Sequence, residues 1–166
     1  MVRTIAIGVL ALVVAPVWGD EATDRAVAEA LTVLADAQAK PPTSKERIAA
    51  ARQAIKTLQK HRRGGLASAA WNIAADARQS DELRSVALVG LSQLPDSPTG
   101  RVRTLAADTV KSDKASKLFR ARAAMVLRNP RFADAASRAA LEQVLLRKDD
   151  PVVQRTCLAA YGATAE

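Results

Sequence analysis

The chain has 166 residues, 49% of them hydrophobic, 25% charged and only 3% aromatic, with a formal net charge of +8 and an isoelectric point near 10.2. A single Cys and a single His exclude an internal disulfide and offer no Cys/His set of the kind that holds zinc or haem. The apolar share is mostly Ala, Leu and Val, and Ala is the best helix former, so the composition predicts an all-α chain. The basic balance favours an anionic partner: nucleic acid, an acidic protein, anionic lipid or a cell-envelope polymer. The bland alternative is a solvated, arginine-rich surface.

Arg3 supplies a short positive start. Residues 4–15 (TIAIGVLALVVA) are apolar and uncharged, of signal-peptide length and too short to span a bilayer comfortably. Pro16 breaks the run, and Val17 and Gly19 suit positions −3 and −1 of a cleavage before Asp20. No Cys follows that could carry a lipid anchor. The expectation is a signal peptide over residues 1–19 and one domain over 20–166, secreted or periplasmic, with no stable membrane span after cleavage. An uncleaved anchor is the alternative. The mature chain keeps 24 basic and 17 acidic residues.

Helical spacing then recurs to the C-terminus. Residues 21–40 carry Val27, Leu31 and Leu34, and Pro41-Pro42 ends that helix. Ile48, Ala51, Ile55 and Leu58 form the next stripe, which closes on Lys60-His61-Arg62-Arg63-Gly64-Gly65. Basic residues in a last turn complement the helix dipole and Gly stops it, so that cluster has a structural explanation before any anion-binding one. Residues 66–79 carry Leu66, Ala70, Ile73 and Ala77, with Trp71 to one side as an inter-helix filler or an exposed binding aromatic. Ser80-Asp81 caps a helix running to Leu94. Gly90 inside it costs about 1 kcal/mol relative to Ala, which a close helix crossing would explain.

Helices over residues 100–111, 115–128 and 132–147 follow, the second with Leu118, Phe119, Ala123, Met125 and Val126 on a wide apolar face. Asp150-Pro151 then opens the last helix. Cys157 stands at helical spacing from Val153 and Ala160, which predicts a buried, inert thiol; an intermolecular bridge is the alternative.

The helices repeat. Leu83-Arg84-Ser85-Val86-Ala87 superposes on Phe119-Arg120-Ala121-Arg122-Ala123 and on Val153-Gln154-Arg155-Thr156-Cys157 at offsets of 36 and 34, and Arg47 meets Arg84 less well at 37. A period of roughly 35 residues with a helix pair per unit is the signature of an α-solenoid, here of about four antiparallel pairs.

At these residues the chain resembles HEAT-like repeats of the short bacterial, phycobilisome-lyase type: Asp-x-x-Val-Arg-x-x-Ala with a trailing Ala-Leu-Gly. The match is best over Asp150 to Gly162, with Gln154 where Arg is usual and Tyr161 where Leu is usual. The resemblance implies a curved solenoid whose second helices line the concave side. Arg47, Arg84, Arg120 and Arg155 are then the candidate partner-binding residues, a positive series near the starts of those helices. The competing reading makes the series a structural ladder, with Asp81, Asp113 and Asp150 as partners.

No catalytic, cofactor or metal constellation appears, and His61 and Cys157 belong to the first and last units, so the chain reads as a non-enzyme. The expected role is a scaffold for a protein or anionic envelope partner. Nucleic acid binding is the alternative, which export and the lack of basic–aromatic interleaving disfavour.

Overall fold

The computed structural model describes residues 21–41, 44–61, 66–147 and 149–164. Eight α-helices fill them, with no strand among the described residues: α1 Glu21–Ala39, α2 Lys45–His61, α3 Leu66–Ala75, α4 Asp81–Gln93, α5 Thr99–Lys111, α6 Lys117–Leu127, α7 Ala135–Leu145 and α8 Pro151–Ala163. The signal-peptide reading of residues 1–19 and the Arg62-Arg63-Gly64-Gly65 cluster lie outside the described residues.

Local chemistry sets the starts. Ser80 and Ser116 accept the Leu83 and Phe119 amides through their hydroxyls, and Asp134 accepts the Ser137 amide. Asp150 accepts from Val152, with Pro151 in the first turn. Each satisfies a donor that the helix leaves unpaired, which is worth about 1 kcal/mol.

Consecutive helices pair, and the pairs stack as an α-solenoid: α2, α4, α6 and α8 form one layer, and the odd-numbered helices form the other. The core between the layers is continuous, from Leu34, Ile55 and Leu58 through Leu83, Leu91 and Phe119 to Leu141 and Val153, all fully buried. Burying a side chain of this size is favourable by roughly 1.5–3 kcal/mol. The layers differ in closure. The even-numbered helices touch all along the array, whereas α3 and α5 scarcely meet.

Gly90 marks the α2–α4 crossing. A Cβ there would lie 2.7 Å from the Gln59 amide nitrogen and 3.3 Å from an Ile55 methyl. The missing side chain lets the two backbones approach, as its place in the helix predicts.

Several local expectations shift. Residues 76–79 leave the helix: Ala77 is exposed in a turn, because Asp76 folds back to accept the Arg78 amide and guanidinium. Phe132 lies in a 3-10 turn, Pro130–Phe132, ahead of α7; it stays buried because Asn129 caps that turn. Leu118 and Met125 point outward instead of joining a wide buried face of α6.

Candidate functional site

The burial pattern sharpens the repeat register. Ala51, Ala87, Ala123 and Cys157 are equivalent buried positions, and so are Ala54, Gly90, Val126 and Ala160. The first offset is therefore 36, one residue less than the match through Arg47. Ile48 takes the place of Arg84 and Arg120 in the first unit, and Gln154 takes it in the last.

The four candidate arginines consequently split. Arg84 donates through Nε to the Ala74 carbonyl at 3.1 Å, pairs with Asp81 at 3.3 Å and lies 4.8 Å over the Phe119 ring. Arg120 donates through Nε to the Val110 carbonyl at 3.1 Å and grips both oxygens of Asp149, one at 2.8 Å. Each guanidinium therefore closes the end of the preceding helix, where basic groups meet unpaired carbonyls and the negative end of the dipole. Arg47 is exposed and pairs with Asp36 at 2.9 Å. Arg155 is exposed on the outer side of α8. The fold brings none of the four into one cluster.

The inter-unit joints recruit residues outside that series. Arg131 donates to the Leu94 and Pro95 carbonyls at 2.8 and 3.1 Å. Arg147 donates to the Lys111 carbonyl at 3.0 Å, reaches Asp149 at 3.2 Å and pairs with Asp113 at 3.1 Å. The Ser116 amide donates to Asp81 at 2.6 Å. Asp149, rather than Asp150, is the carboxylate that answers Arg120. Its carboxyl is held below the usual range chiefly by the Arg120 hydrogen bonds, against the opposing effect of burial. Gln154 does the arginine's work neutrally, donating to the Arg147 carbonyl at 2.9 Å. Tyr161 carries Arg138 over its ring at 4.8 Å.

An outward row also runs along the even-numbered layer, in which Glu82 is paired with Arg52 of α2 and Val86 and Val89 are partly buried. By register its positions are Glu46, Ala50 and Gln53 on α2, then Glu82, Val86 and Val89 on α4. On α6 they are Leu118, Arg122 and Met125, and on α8 Val152, Thr156 and Ala159. Arg122 donates to Ser85 at 2.9 Å, which fixes the side-by-side seating of α4 and α6. The row begins polar and turns apolar. Leu118, Met125 and Val152 are 45%, 57% and 57% exposed. Among the described residues, α6 and α8 hold four of the six exposed large apolar side chains, the fourth being Leu158 on the open flank of α8. Interior counterparts of Leu158, namely Leu88 and Ala124, are buried by the next unit. The apolar spacing that suggested a core face on α6 was also the signal for this row, once the register is known.

The other layer opens where α3 and α5 part. Trp71, Ala75, Gly100, Arg101, Thr104, Leu105 and Asp108 line an open groove of about 360 Å³. Trp71 is half-buried with Arg101 stacked 4.4 Å above its ring, so its face is already covered.

Cys157 is fully buried, and that burial pushes its thiol up to about 11. Among the described residues no His, Cys, Asp or Glu group is arranged to hold a metal, and no helix is long and apolar enough to cross a membrane. No family model matches the chain, nor does any curated protein or solved structure.

Proposed function

We propose that this chain is an exported, HEAT-like scaffold that binds a protein partner through the outward face of its even-numbered helices. The supporting observation is the row Leu118, Met125 and Val152, exposed across α6 and α8, the two adjacent helices that hold four of the six exposed large apolar side chains among the described residues. Large exposed apolar side chains gathered on one face of a repeat array are a usual mark of an interaction surface. Met is suited to it, since its flexible thioether adapts to varied partners. Export is supported by the signal-like residues 1–19, and the scaffold role by the absence of any catalytic grouping in the sequence. Arg84 and Arg120 serve the array from inside on this reading, whereas Arg47 and Arg155 remain available at its edges.

Site-specific photocrosslinking tests it. A benzoylphenylalanine is introduced at Met125 and, separately, at Thr104 on the other layer, in cells that make the full chain. Adducts with a discrete protein at Met125 and none at Thr104 are expected. Adducts confined to Thr104 would move the site to the α3–α5 side. Capture of an anionic polymer or DNA, lost as salt is raised, would replace the protein partner with a polyanion.

A further inference from the structure

Resting on that reading of the face, we infer that its occupant is an acidic amphipathic helix, seated along the junction of α6 and α8. Charge is the first reason. α6 (KLFRARAAMVL) and α8 (PVVQRTCLAAYGA) contain no Asp or Glu, yet carry Lys117, Arg120, Arg122 and Arg155. Arg120 is neutralised internally by Asp149. Lys117 is 71% exposed, with only a long 3.7 Å approach to Asp150, and Arg128 and Arg155 are exposed as well. Along the α6–α8 junction the apolar row is thus edged by cations, the nearby carboxylates being Glu82, which is paired with Arg52, and Asp150, which caps α8.

Shape is the second reason. Leu118, Arg122 and Met125 stand at helical spacing on α6. The facing positions on α8 are Val152, Thr156 and Ala159, which are smaller and leave room above that helix. A helix laid alongside repeats its own face every seven residues, about 10 Å. Large apolar side chains at i, i+3 or i+4, and i+7 would fill the space over Thr156 and Ala159, and carboxylates on the flanks would meet Lys117, Arg128 and Arg155. A lipid surface suits this face less well, because the aromatic anchors typical of membrane interfaces are absent from it: the row and its rim hold no Trp, Tyr or Phe.

The test is fluorescence anisotropy with synthetic 20-residue helical peptides and the purified protein. One peptide has a Leu stripe flanked by Glu. A second keeps the stripe with Lys flanks, and a third keeps Glu but replaces the stripe with Ser. The Glu–Leu peptide is expected to bind at least tenfold more tightly than either control. Met125→Ser and Leu118→Ser, both at exposed positions and checked for native circular dichroism, should each weaken it several-fold. Arg155→Glu should weaken it and flatten its salt dependence. Equal binding of the Lys peptide overturns the acidic occupant while leaving an apolar docking face. Binding of none of the peptides, with Met125 crosslinks persisting in cells, also overturns it and points to a partner that is not a helix. Binding to phosphatidylglycerol vesicles but not to the Glu–Leu peptide overturns it in favour of lipid.

Discussion

Arg120 and Asp149, 29 residues apart in sequence, form a two-pronged ion pair in which both side chains are only 8% exposed. The pair ties α6 to the loop ahead of α8. Removing Arg120 strips the buried Asp149 carboxylate of its two-pronged partner and leaves it only the Arg147 Nε at 3.2 Å and the Asp150 amide at 2.7 Å. Arg120→Ala is expected to lower the unfolding free energy by about 3–5 kcal/mol. The double replacement Arg120→Met with Asp149→Leu should recover part of that loss, since an apolar pair carries no desolvation cost but leaves the Val110 carbonyl and the Asp150 amide without these side-chain partners. Urea titrations of the three proteins decide it. A loss below about 1 kcal/mol for Arg120→Ala would match an exposed pair instead.

Acid sensitivity follows from the same carboxylate. The Asp149 carboxyl is depressed in the folded protein, mainly by Arg120. Asp134 is depressed mainly by the Ser137 amide it caps. A depressed folded value means the unfolded chain takes up the proton first as pH falls. The contribution is whole above the ordinary carboxylate value near 4, shrinks below it, and vanishes once the folded carboxyl itself is protonated. The stability gap between wild type and Asp149→Asn should therefore be flat between about pH 5 and 8 and narrow below about pH 4. A gap that widened in acid would contradict the assignment.

Gly90 sets two terms against each other. Ala is favoured over Gly in a helix by about 1 kcal/mol. The new methyl would press on the Gln59 amide and an Ile55 methyl. The Gln59 end can swing aside, but Ile55 is fully buried and gives little. Gly90→Ala alone should change stability by less than about 1 kcal/mol, and should do better on a Gln59→Ala background. Gly90→Leu should lose about 1–3 kcal/mol or more by forcing the helices apart. Melting temperatures of the four variants report this directly.

Cys157 should be chemically silent in the native state. The thiolate is the reactive form, and burial pushes the thiol up to about 11. Ellman's reagent at mildly alkaline pH is expected to react at least a hundredfold more slowly with the native protein than in urea, by roughly two decades of thiolate fraction. Equal rates would show that the α8 core opens freely.

Arg47→Ala and Arg155→Ala should each cost less than about 1 kcal/mol, because exposed pairs are screened and held loosely. The contrast with Arg120 separates what spacing could reveal from what it could not. Helix periodicity, Ser and Asp caps and the roughly 35-residue period were sufficient for an all-α array, because each unit must bury its stripe on a neighbour. They did not distinguish Arg47 from Ile48 as the counterpart of Arg84, since a one-residue shift keeps the sequence match and rotates the helix by about 100°. Nor could spacing choose Asp149 over Asp150. Both are helix-start carboxylates, and only the fold turns one inward to Arg120 and leaves the other to cap α8. The outward row was hidden for a related reason: Leu118 and Met125 look like core until the neighbouring helices have filled the other side of α6.

The joints between units are made of different materials. Gln79 donates to the Ala37 carbonyl at 2.7 Å across the first joint, and Gln38 to Ala69 at 3.2 Å, both without charge. The last joint turns on the buried carboxylate of Asp149. Lowering the pH therefore discharges the carboxylate at the centre of the last joint, whereas at the first it reaches the outer Arg52–Glu82 pair and spares the Gln79 and Gln38 links. The end from which the array unzips is set by the solvent as well as by the sequence.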